Sequence, residues 1–423
     1  MNPSSRQYGF WTAIAFVIGT VVGTGIYLKP AQLARLAPEP WQNLTLWALG
    51  GLFALSGGLV YSRLAEVWPQ SGGAYVYLRN CYGEKVGSLL LAADVLLGRP
   101  AAVGALATGL GLIWSLTPGA TLGLAVAALI LLTLGQCLGR VATGRLQLLL
   151  TALQMVPFVA IAVAGANLPK ATTTLPDPAS ASQAMWASGF LAVLWAYDGW
   201  YNLTILGGDV ERPEVNLRRA LVGGIVLVTA FYVAINGLLL AKIPRPEILE
   251  QGVPFVLLLK AWGVQLWGSG IKFALSLALL GTLNGTLACG PSMLAAGGLG
   301  DDSTAQSRRR TLLLFSGWCL TLLLLFAVLP SKFALFDQMS EYTACVVAGL
   351  SGLTVTCLFH LPRKGYAIGW GTRLAGVVFL LIDLALVVAL ALERPGLALG
   401  GAISVLVAGA LLDRFRRRGQ PNS

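Results

Sequence analysis

Long apolar stretches alternate with short polar joints along almost the whole chain. Crossing about 30 Å of hydrocarbon takes roughly 20 apolar residues as a helix. Charge-poor windows of that length recur at residues 7–28, 40–62, 145–170, 178–197, 220–241 and 311–331, then at 273–300, 342–362, 374–392 and 395–412. The run at 100–139 is about twice as long and is interrupted by Thr117-Pro118-Gly119, so it reads as the end of one span, a turn and a second span. The pattern predicts twelve spans, with the boundary near 86–114 the least defined, and an all-α polytopic membrane protein.

Composition narrows the class further. Of 423 residues, 56% are apolar and only 11% charged, against about a quarter charged in ordinary soluble domains. A soluble enzyme, a nucleic-acid module and a disordered chain are excluded together. The formal charge of +11 belongs to loop flanks: loops on the amino-terminal side hold 19 Lys and Arg against 9 on the other, with Arg99 left inside a span. Under the positive-inside rule both termini are cytoplasmic. Arg308, Arg309 and Arg310, like Arg414, Arg416, Arg417 and Arg418, read as stop-transfer flanks rather than nucleic-acid patches. Six cysteines without C-x-x-C spacing and a single histidine give no disulfide framework, metal centre or cofactor site. No cleavable leader is evident after Arg6, because the following apolar run is long enough to cross.

Two spans carry breakers at mid-depth. The first holds Gly19-Thr20-Val21-Val22-Gly23-Thr24-Gly25 and the sixth Trp195-Ala196-Tyr197-Asp198-Gly199-Trp200. Unwound backbone in a membrane survives only beside a cavity or inside protein, and a carboxylate such as Asp198 needs a polar cavity or a partner. Broken helices at the first positions of two five-span halves point to the site of an inverted-repeat transporter. The glycines alone also suit close helix packing. Asp94 and Asp383 fall nearer predicted helix ends, where solvent could reach them, and Arg99 is expected to pair with a carboxylate or helix-end carbonyls.

These residues carry a resemblance. Gly23-Thr24-Gly25-Ile26-Tyr27 resembles the first-helix motif of amino acid–polyamine–organocation permeases, and Trp195-Ala196-Tyr197-Asp198-Gly199-Trp200 their sixth-helix segment. Gly207-Gly208-Asp209-Val210-Glu211-Arg212-Pro213 with Asn216-Leu217-Arg218-Arg219-Ala220 is similar to the loop that follows. Glu66, Ser71-Gly72-Gly73-Ala74-Tyr75, Arg99-Pro100 and Asn284-Gly285 look most like the prokaryotic L-amino acid transporter branch.

The resemblance implies a LeuT-type fold of five plus five inverted spans with helices 1 and 6 unwound. Within one transporter domain of residues 1–423, the repeats would be 8–170 and 178–362, followed by helices 11 and 12 at 366–413 and a basic cytoplasmic tail at 414–423. It implies no enzyme but an alternating-access carrier of L-amino acids in the cytoplasmic membrane, an exchanger of small or medium neutral substrates. The alternative is a proton- or sodium-coupled carrier of amino acids or polyamines; a channel or polytopic enzyme suits the isolated breaks poorly.

The substrate-binding candidates are Val21, Gly23, Thr24, Gly25, Trp195, Ala196, Asp198, Gly199 and Asn284. Tyr27, Tyr197 and Tyr232 are gate or pocket candidates, each also explicable as packing. Gln154 stands where the family carries a lysine, at the coupling position. Partners expected are the amino acid and membrane lipid. No nucleic acid and no disulfide-linked accessory subunit are expected, since the loop at 115–120 lacks the cysteine that links one in the eukaryotic branch.

Overall fold

The structure is a computed structural model that describes residues 6–170, 183–251, 253–263, 267–328 and 349–393. Among them the only extended pairing is a single bridge between Tyr8 and Val210; the remainder is helix and turn.

The first span is α1 (Phe10–Val21) and α2 (Gly25–Leu36), bent by 42° at the glycine stretch. It thus runs eight residues beyond the window expected from the sequence. Then come α3 (Pro40–Val67), the short connector helix α4 (Ala74–Tyr82), and α5 (Glu84–Ala92), which continues through a π turn over Ala93–Gly98 into α6 (Arg99–Ile113). That stretch is one span from Glu84 to Ile113, and the turn at Thr117-Pro118 starts α7 (Pro118–Gln136) as the breaker predicted. α8 (Arg140–Asn167) precedes the second broken unit, α9 (Gln183–Ala196) and the single turn α10 (Asn202–Ile205).

The chain then forms α11 (Pro213–Lys242), two short helices α12 (Arg245–Glu250) and α13 (Phe255–Ala261), and the long α14 (Trp267–Ala296) and α15 (Ala305–Val328). α16 (Gly349–His360) and α17 (Trp370–Glu393) close the described part. Among the described residues, eight helices are long and apolar enough to cross a membrane, nine with the bent α1–α2 pair. Of the twelve predicted spans, the starts of the sixth and tenth, the end of the ninth and all of the twelfth lie outside the described residues, as does the basic segment at 414–423.

Two packing groups emerge. α3 lies along α11 and also meets α9, while α2 packs on α9. α6, α7, α14 and α15 pack on one another, and α8 leans on α14. α1 sits at the seam, against α11 on one side and α8 and α14 on the other. Small residues make the first group tight: a β-carbon at Gly58 of α3 would stand 2.6 Å from Ile225 of α11, so the two backbones approach as small-residue membrane interfaces do. One expectation changes here. Asp383 is not near a solvated helix end but lies in the middle of α17, only 5% exposed.

Candidate site at the two helix breaks

The breaks face each other and are stitched together. The Thr20 hydroxyl lies 2.6 Å from the Phe16 carbonyl and 3.0 Å from the Gly199 carbonyl, so its one proton is shared between its own helix and the opposite break. The Tyr232 hydroxyl of α11 lies 3.2 Å from both the Val21 and the Ala196 carbonyls, the last residues of α1 and α9. Gly199 turns the chain at φ +101°, and a β-carbon there would meet the Thr20 carbonyl oxygen at 2.7 Å. Only glycine suits both conditions.

Past the first break, the Tyr27 and Leu28 N–H groups both return to the Thr24 carbonyl. Those before them open α2 without an intrahelical acceptor, at the positive end of its dipole. Thr24 makes no side-chain cap there. The arrangement offers donors for an anion beside carbonyls for a cation.

The other sequence candidates divide. Gly25 packs on the second break, where its β-carbon would come within 2.6 Å of the Ala196 Cα. Gly23 faces the Thr282 hydroxyl of α14, which donates to the Gly19 carbonyl at 3.1 Å. Trp195 is partly exposed, with the Lys29 ammonium 5.3 Å from its ring centre. Asp198 is exposed although it sits inside the break.

Tyr27 stacks on Phe158 at 4.5 Å and is fully buried. Tyr197 donates to the Trp47 carbonyl at 3.0 Å, and Tyr232 is a brace between the breaks. Asn284 is also committed elsewhere: Gln136 donates to its amide oxygen at 2.9 Å and its amide nitrogen donates to Gln147 at 2.8 Å. In this conformation it ties α7, α8 and α14 together.

Gln154 is fully buried and neither of its amide atoms has a hydrogen-bond partner. Its oxygen lies against Gly281, and the Gly19 carbonyl approaches the same point. A neutral amide stands there, with donor and acceptor both unsatisfied.

These positions give a ranked expectation. Asp198→Asn keeps the side-chain shape and the turn, whereas Gly199→Leu places a side chain at positive φ against the Thr20 carbonyl. Amino acid uptake should fall much further in Gly199→Leu than in Asp198→Asn; the reverse order, at matched membrane insertion, would assign the work to the carboxylate charge.

Two charge clusters flank the breaks. Arg99, 4% exposed, donates to Asp94 and to the Asn202 side chain of α10, each at 2.9 Å; this is the pairing expected of an intramembrane arginine. The π turn makes it possible. Residues five apart sit about 140° apart around an α-helix, but here the Arg99 N–H bonds the Asp94 carbonyl and the widened turn brings the two side chains onto one side.

The second cluster escapes sequence reasoning. Arg140 of α8 pairs with Asp209 at 2.8 Å and Asp302 at 2.6 Å, and Arg308 of α15 with Asp302 at 2.9 Å. The quartet is neutral overall and seals the end of the bundle that carries the amino terminus, where the Gln7 and Tyr8 N–H groups both donate to the Asp209 carbonyl. The available signal was Asp209 in the motif loop. Arg140 and Arg308 looked like ordinary flanking charges.

Comparison with known proteins agrees with this geometry. A solved structure of MhsT in complex with L-phenylalanine superposes with a TM-score of 0.64 at 14% identity, covering 90% of this chain and 97% of that one, which shows the LeuT-type fold. The serine/threonine exchanger SteT of Bacillus subtilis (strain 168) is 32% identical over 255 residues, 59% of this chain and 58% of that protein. The human b(0,+)-type amino acid transporter 1 is 26% identical over 259 residues, 58% of this chain and 53% of the relative. The mouse large neutral amino acids transporter small subunit 2 is 29% identical over 310 residues, 69% and 58%. The matches thus span between half and three fifths of these relatives' lengths. The sequence model of the amino acid permease family matches residues 8–413. With nearly its whole length inside that match, two broken helices facing one another and a LeuT-type fold around them, the chain belongs to the amino acid permease family.

Proposed function

We propose that this protein is an alternating-access exchanger of small or medium neutral L-amino acids in the cytoplasmic membrane, with both termini in the cytoplasm. The observation that carries this reading is the pair of breaks joined by Tyr232, with the open N–H groups of α2 beside them. An α-amino acid carries a carboxylate and an ammonium close together. The carboxylate suits the N–H groups around Thr24 and Gly25 at the start of α2; the ammonium suits break carbonyls at Val21, Trp195 and Asp198. Trp195 is the gate candidate, and the Asp198 carboxylate faces the same region.

The repeats at 8–170 and 178–362 supply one break each. The two packing groups are bodies that could rock about the seam at α1. The Bacillus relative's name, serine/threonine exchanger, favours exchange and a small substrate. The excess of Lys and Arg on the amino-terminal side supports the orientation. The mouse relative is described as a small subunit; the loop between α6 and α7 in this chain holds no cysteine, which favours a carrier without a disulfide-linked companion.

A second reading, cation-coupled symport, has one observation in its favour, the unpartnered amide of Gln154 beside the Gly19 carbonyl. Exchange is preferred because that side chain is uncharged. Uptake of labelled neutral amino acids into proteoliposomes separates the two. Exchange requires unlabelled amino acid inside and proceeds when sodium is replaced by choline. Accumulation into empty vesicles that needs a sodium or proton gradient would put symport in its place.

A further inference from the structure

Away from the breaks, two thiols meet where the connector helix α4 reaches the end of α16. Cys81 lies in the last turn of α4, half-buried, and its thiol stands 3.8 Å from the Cys357 carbonyl. The Cys357 side chain is also its first electrostatic neighbour. Cys357 is fully buried, and both cysteines are free. The neighbouring groups hold the two helices together: the Tyr82 hydroxyl is 2.6 Å from that of Thr356, and the Tyr82 ring packs edge-on to His360 at 4.7 Å.

The two sulfurs differ in the way that redox chemistry needs. The Cys357 side chain and the nearby Lys364 ammonium lower the Cys81 thiol below its ordinary range, against the opposing effect of burial. A thiolate is the reactive form, and it is favoured in a partly exposed, electropositive setting. Cys357, sequestered beside it, is placed to resolve an oxidised Cys81. Cys289 shows the contrast: it is buried at a helix contact with its thiol directed at the Asn202 and Gly285 carbonyls.

We propose that Cys81 and Cys357 form an oxidisable dithiol, a modification site at which a hydroperoxide staples α4 to α16. The Cys81 thiolate attacks one peroxide oxygen, the O–O bond breaks, and the departing oxygen leaves as an alcohol, or as water from hydrogen peroxide. The Cys81 sulfenic acid is then attacked by the Cys357 sulfur; the S–O bond breaks, the S–S bond forms, and the hydroxyl leaves as water with the Cys357 proton. The two thiols lose two electrons and the peroxide gains two.

The staple bears on the bundle because the segment that starts α4 leans on the second half of the broken helix. The Gly72 N–H donates to the Ile205 carbonyl of α10 at 2.8 Å, and the Ser71 hydroxyl accepts from the Gly208 N–H at 3.2 Å. Fixing α4 to α16 therefore restrains the segment after the break.

The test treats the full-length protein in detergent with hydrogen peroxide, digests it after blocking free thiols, and identifies cross-linked peptides by mass spectrometry. The expected result is a Cys81–Cys357 linkage that forms in the wild type, disappears on reduction by a dithiol and is missing in Cys81→Ser. Recovery of Cys81 as free thiol, or as sulfinic acid without linkage, would overturn the site. A second arm, which rests on the exchanger reading, measures amino acid exchange in proteoliposomes of the same samples. Peroxide should slow the wild type at least severalfold, reversibly, and leave Cys81→Ser unaffected. Linkage with unchanged exchange in an otherwise active preparation overturns the restraint alone. An untreated wild type without exchange fails the transport reading, which the chemical arm does not need.

Discussion

Gly25→Val should reduce amino acid uptake to background. The first β-carbon would enter within 2.6 Å of the Ala196 Cα, and backbone cannot swing aside as a flexible side chain can. Relief requires the second break to retreat, at a strain of about 1–3 kcal/mol. That retreat pulls the Ala196 carbonyl off Tyr232 and widens the spacing on which simultaneous capture of carboxylate and ammonium depends. From the sequence Gly25 is a substrate-binding candidate; the structure sets the opposite break against it. Initial rates in proteoliposomes at matched insertion, with melting temperature as control, are the measurement. Uptake at wild-type rate would show that the breaks need not lie this close and would remove them from the site.

Arg99→Met should be the most destabilising single change considered. It leaves Asp94 without its cation and Asn202 without a donor in the packed interior between α6 and α10. Breaking one side of a buried pair costs about 3–5 kcal/mol, whereas replacing both partners with uncharged groups is far milder. The double variant Asp94→Asn/Arg99→Met should therefore recover most of the loss, and the departure from additivity measures the pair. Thermal unfolding in detergent reads both. A single variant as stable as wild type, or a double variant no better than the single, would show that the pair is not what holds this contact.

The contrast between these two predictions shows what a sequence makes legible. Gly19 to Gly25 and Asp198-Gly199 stand out because their chemistry is wrong for a continuous apolar helix, so the breaks could be located without coordinates. Arg99 stands out for the same reason. Its partner does not, because a separation of five residues shares no α-helical face until the π turn supplies one. Arg140 and Arg308 are harder still: each looks like any arginine at a helix end, and only folding brings Asp209 and Asp302 to them from two other loops. Asn284 shows a different limit. Its polarity in an apolar span was visible, but the ladder that engages its amide runs through Gln136 and Gln147 on two other helices. Asp383, expected where solvent could reach it, is instead 5% exposed because Gly352 of α16 packs against its carboxylate. Local chemistry fixes where something unusual happens. Long-range packing decides with whom.

The brace at Tyr232 has a thermodynamic meaning. Its single proton is divided between the carbonyls that end α1 and α9, so the two half-sites share one donor. Any ligand group that competes for the Val21 carbonyl hands more of that proton to Ala196, and the reverse holds equally. Occupancy at one break therefore changes the affinity at the other, and reciprocity requires the same factor in both directions. Both carbonyls are acceptors, so under the proposed function the linkage senses the ammonium of a substrate and not its carboxylate, which the start of α2 would hold.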